Sequence, residues 1–133
     1  MSEYDIVAEW LEIANADLDV AQYLFARPVH KQLEIICYHC QQSVEKSLKA
    51  FLCANDVEIP KVHAVSVICH QCSDINPAFS DFIKTCEILE VYATQTRYPS
   101  RIELDEPIAK QALTQALAIY NFVSELLKPP SKS

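Results

Sequence analysis

The sequence contains no glycine. A dinucleotide fingerprint or a phosphate-cradling P-loop needs glycine where backbone must approach phosphate closely, so both are excluded. Tight two-residue hairpins lean on glycine as well, which argues against a hairpin-rich β fold. Long apolar runs are also missing, and nothing approaches the roughly 20 residues that a helix needs to cross a bilayer. The opening Met1-Ser2-Glu3-Tyr4-Asp5 is acidic, and no signal-like apolar core follows it. Positive charge is scarce: 11 Lys and Arg stand against 18 Asp and Glu, for a formal charge of -7 and a pI near 5.0. That balance disfavours non-specific attachment to nucleic acid or to an anionic membrane, though it leaves room for a local basic groove. Together these absences point to a cytoplasmic protein with no membrane association, whose six cysteines are reduced thiols.

What the chain does have is helical periodicity over one domain, residues 1–128, followed by a frayed tail at 129–133. The first helix is expected from Tyr4 to Phe25, with a seam of Val7, Trp10, Leu11, Ala14, Leu18, Ala21, Leu24 and Phe25. Arg27-Pro28 closes it. A long second helix carries Leu33, Ile36, Cys37, Cys40, Val44, Leu48, Phe51 and Leu52 on one stripe and ends near Asn55-Asp56. Its other face is polar and rich in amides: Gln41, Gln42, Glu45, Lys46 and Lys49. A short third helix is expected over His63–Cys72. Asn76 and Pro77 should then start a fourth, carrying Phe79, Phe82, Ile83, Cys86, Leu89 and Ala93. Asp105 caps the last, whose seam is Ile108, Ala112, Ala116, Ile119, Tyr120, Val123 and Leu127. The fold class is all-α, an up-and-down bundle of four long helices and one short one.

Several side chains could carry chemistry. Cys37-x-x-Cys40 and Cys69-x-x-Cys72 have the spacing of a four-cysteine zinc site. Both pairs, however, fall on apolar helical stripes, where free cysteine packs as a small hydrophobe, and that is the favoured reading. Of the histidines, His39 lies beside the stripe of the second helix and His63 opens the third, and each reads as structural. Asp17 sits inside the first seam, either reaching water at its edge or partnering a buried cation.

A resemblance ties these features together. Trp10, Ala14, Asp17-Leu18 and Ala21 are followed by Tyr38-His39-Cys40-Gln41-Gln42-x-x-Glu45-Lys46-x-Leu48-Lys49-Ala50, by His63 and by Arg97-Tyr98-Pro99. In that order and spacing the chain resembles the HEPN domain family of prokaryotes. The resemblance implies a helical bundle that forms homodimers. It also implies a partner, an MNT-type minimal nucleotidyltransferase, in a toxin–antitoxin-like module. No cofactor is expected. Many HEPN proteins are metal-independent ribonucleases with Arg, four to six residues, then His. Here Arg97 is followed at that distance by Ile102, Glu103 and Leu104, and Arg101 by Glu106, Pro107 and Ile108. The proton carrier of that mechanism is therefore missing. Arg97 could still receive a nucleotide or RNA phosphate, with Lys46 and Lys49 nearby and with Asp17, Gln42, Glu45, His63 and Tyr98 as structural or cleft residues. Alternatively Arg97 pairs with Asp17 or Glu45 and locks the bundle. Two further alternatives are a divergent ribonuclease using His39 or His63, and a non-enzymatic bundle with structural zinc.

Overall fold

Apolar residues recurring every three to four positions fold into five α-helices in a computed structural model, which describes residues 3–95 and 103–128. They are α1 (Glu3–Phe25), α2 (Leu33–Ala54), α3 (Val65–Ile75), α4 (Ile83–Gln95) and α5 (Glu106–Leu126). A 3₁₀ turn, Pro77–Phe82, leads into α4. The described residues form no strand, and no described helix is long and apolar enough to cross a membrane.

The bundle is organised around α2, on which α1, α3, α4 and α5 all pack. Ile36, Cys37, Cys40, Val44, Leu48 and Leu52 are fully buried there. α1 contributes Ala14, Leu18 and Ala21 to the core, and α5 contributes Ala109, Ala112, Ala116, Ile119 and Val123. The alanines let α5 approach α2 closely. Phe79 fills the remaining end of the core, its ring centroid 4.5 Å from that of Phe51 and 5.1 Å from that of Phe122. Burying a side chain of this size stabilises the fold by about 1.5–3 kcal/mol.

Caps fall where the sequence indicates. Asp105 accepts a hydrogen bond from Ile108 N–H (2.9 Å) and Asn76 from Ala78 N–H (3.0 Å). The start of α3 is held from outside, because Glu90 of α4 accepts from both the amide and the hydroxyl of Ser66, each at 2.6 Å. A carboxylate suits the positive end of a helix. With no glycine available, the turns use other residues in the left-handed region: His30, Gln32 and Asp56, with φ of 56°, 58° and 59°. Such a conformation costs roughly 1–2 kcal/mol per residue. Local contacts oppose that cost between α1 and α2. The Lys31 ammonium donates to the carbonyls of Phe25 (2.7 Å) and Arg27 (2.6 Å), satisfying the end of α1.

Three expectations need correction. The polar face of α2 is not a solvated face: Gln41, Ser43, Glu45, Ser47 and Lys49 are all buried, because helices surround α2 on more than one side. α3 begins at Val65 and runs to Ile75, which leaves His63 in the preceding connection. Asn76 caps a 3₁₀ turn before α4 proper begins at Ile83.

Candidate functional site

The buried polar face of α2 builds a charged cluster around Glu45, whose side chain is fully buried. One turn separates Glu45 from Lys49, so the two side chains meet. The Lys49 ammonium donates to Glu45 Oε2 at 3.0 Å, and that of Lys46 donates to the same oxygen at 3.1 Å. His63 reaches in from the loop, with Nδ1 3.2 Å from Oε2. A carboxylate only accepts, so Nδ1 carries the proton. Burial alone would push the Glu45 carboxyl up. The hydrogen bonds from Lys49, His63 and Lys46 outweigh burial and hold it below its ordinary value. Oε1 is buried with no hydrogen-bond partner among the described residues.

Two ammonium groups thus meet one carboxylate, and the cluster carries a surplus of positive charge. Both ammonium groups lie 6.0 Å from the centroid of the Trp10 ring on α1, at the outer limit of a cation–π contact. Lys49 is 7% exposed and is committed to Glu45, whereas Lys46 is 20% exposed and His63 80%. Lys46 therefore presents the charge to solvent, and the His63 ring stands exposed beside it. An amide chain straps the His63 loop in place: Gln42 donates to Gln41 Oε1 (3.0 Å), and Gln41 donates to the His63 carbonyl (3.1 Å).

A second pair joins α1 to α2. His39 Nδ1 donates to Asp17 Oδ1 at 2.9 Å, and the Tyr38 ring stands edge-on to the imidazole. The carboxylate fixes the imidazole tautomer, so that in the neutral ring the lone pair is on Nε2.

Of the sequence candidates, Glu45, Lys46, Lys49, Gln42 and His63 are brought together, while Asp17 stands with His39. Arg97 and Tyr98 lie outside the described residues, as do residues 129–133. The seam reading of Trp10 missed its place against the lysines, and the Asp17–His39 partnership was also missed. A lone tryptophan in a chain with few cations was the available signal for Trp10.

All six cysteines are free thiols, and every one except Cys53 is buried. Burial, with Glu34 nearby, raises Cys37 to about 11. Burial, with Cys69 nearby, raises Cys72 to about 12. The hydrogen bond Cys86 shares with Cys69, and then burial, hold its proton well above the ordinary range. The Cys69 thiol donates to the Phe79 carbonyl (3.4 Å), and that of Cys72 to the Leu48 carbonyl (3.6 Å). Among the described residues no three His, Cys, Asp or Glu side chains are grouped to hold a metal, so Cys37, Cys40, Cys69 and Cys72 do not form a joint site there.

The comparison with curated proteins finds no match. Among solved structures, the chain is similar to ST0689, an archaeal HEPN homologue. Identity is 26%, coverage is 92% of this chain and 98% of that one, and the TM-score is 0.72. It is also similar in fold to TT1696 from Thermus thermophilus, at 24% identity, 90% and 96% coverage and a TM-score of 0.75. The model of the HEPN domain matches residues 7–126. With that match spanning nearly the whole helical bundle, the chain belongs to the HEPN domain family.

Proposed function

We propose that this chain is a cytoplasmic HEPN binding protein, a homodimer that partners an MNT-type minimal nucleotidyltransferase in a toxin–antitoxin-like module. In this reading the Glu45 cluster seats a nucleotide or RNA phosphate. The observation that carries the seat is the surplus charge: two lysines share one buried carboxylate beside the face of Trp10. A phosphate approaching Lys46 meets an ammonium that Glu45 neutralises only in part, and a base can stack on an indole. By the resemblance alone, Arg97 is a further candidate for that phosphate, since a guanidinium can bind one through two N–H groups. The missing Arg-x4-6-His spacing supports binding rather than cleavage. One observation favours a divergent ribonuclease instead, namely the tautomer of His39 fixed by Asp17.

Trp10 is the sole tryptophan, so its emission reports the site directly. Titration with ATP and with a short RNA should give saturable changes. Lys46→Ala and Arg97→Ala should each weaken binding about tenfold and flatten its salt dependence, while the fold is retained. Binding that is absent, or indifferent to both substitutions, overturns the phosphate reading. Metal-free RNA cleavage lost in His39→Ala would establish the ribonuclease instead. Sedimentation should show a dimer, and a monomer at roughly tens of micromolar would count against it. The product of a neighbouring nucleotidyltransferase gene should co-purify with the tagged chain.

A further inference from the structure

α1 carries a second apolar stripe beside its buried seam. Ile6, Ile13 and Val20 are 39%, 43% and 40% exposed, although each is a large hydrophobe. They recur every seven residues, so they form one line along about 21 Å of helix. Near its start the surface dips into an open groove of about 290 Å³ lined by Ile6, Glu9, Trp10 and Ile13. α1 meets α2 and α5 through its other seam, Ala14, Leu18 and Ala21, and these residues are buried while the stripe is not. A seven-residue apolar repeat is the pattern of a helix that packs along another helix.

The charge beside the stripe says which helix fits. α1 has no Lys, Arg or His anywhere between Glu3 and Phe25. On the solvent side of the stripe stand Glu9, Glu12 and Asp19, all exposed. Glu12 and Asp19 precede Ile13 and Val20 directly, so they repeat with the same seven-residue period. A second copy laid along this line would set carboxylates against carboxylates, which is destabilising. From this complementarity we infer that the α1 stripe is a docking surface for a basic amphipathic helix of another protein. The partner helix has about four turns, an apolar seam, and Lys or Arg flanking that seam. The inference does not need a bound phosphate or Lys46, although the groove shares Trp10 with the lysine cluster. Ile13→Glu, away from the lysines, tests the stripe, and Lys46→Ala tests the phosphate seat.

Two synthetic 18-residue helices test it, both with Leu at heptad positions a and d and neither containing tryptophan. One carries Lys at e and g, the other Glu. The Lys peptide should move Trp10 emission saturably to shorter wavelength, while the Glu peptide should not. Ile13→Glu, at an exposed position where circular dichroism should show an intact fold, should weaken binding tenfold or more. Glu12→Lys with Asp19→Lys should exchange the preference to the Glu peptide. No response to the Lys peptide at about 1 mM, an equal response to both peptides, or binding unmoved by Ile13→Glu overturns the proposal. A wild-type dimer that Ile13→Glu dissociates also overturns it, since the occupant is then a second copy.

Discussion

Glu45 and Asp17 each hold an imidazole Nδ1, at 3.2 and 2.9 Å, yet their surroundings differ in kind. Glu45 is fully buried, and it gathers Lys46, Lys49 and His63 onto one oxygen. The Asp17 side chain keeps 18% of its surface, and its hydrogen bond is with His39. The difference follows from desolvation. A carboxylate taken out of water needs replacement donors and countercharge, whereas one that keeps some water is served by fewer. The buried site therefore accumulates cations, and the surplus is what makes it a candidate seat for an anion.

Glu45→Ala should show the largest effect. It strands Lys49, 7% exposed, without its carboxylate, and should lower unfolding stability by about 3–5 kcal/mol in urea titrations. Acid is the next test. Because the folded-state value of Glu45 is depressed, its contribution is fully present above the unfolded carboxylate value of about 4.3, and is lost as pH falls through the lower folded value. Glu45→Gln should flatten the loss of stability in that window relative to wild type. Asp17→Ala should cost less, about 1 kcal/mol, as expected for a charged hydrogen bond that water partly screens. If it costs as much as Glu45→Ala, the contrast between the two sites fails. Lys46→Ala should be the mildest, under about 1 kcal/mol, because Lys49 still compensates Glu45.

The helices were legible because their apolar residues repeat with helical period, and the Asp105 and Asn76 caps because their chemistry is local. The Glu45–Lys49 contact was legible for the same reason, being one turn of a single helix. The Asp17–His39 pair was not, since it joins residues 22 apart on two helices whose relative register no local pattern encodes. Nor could α2 alone reveal that its polar face is covered. Periodicity reports one preferred face, whereas burial depends on how many neighbours arrive. The line Ile6, Ile13, Val20 lies outside the seam read from the sequence, and only the fold shows that no described helix takes it.

The central claim is that Glu45 stays ionised inside the bundle because three donors converge on Oε2. It can be read from the Glu45 side-chain carboxyl carbon by ¹³C NMR over a pH titration of the folded protein, with Glu45→Gln assigning the resonance. The account predicts a midpoint below the ordinary glutamate value of about 4.3. A midpoint at or above that value would contradict it, because burial would then have prevailed over Lys46, Lys49 and His63.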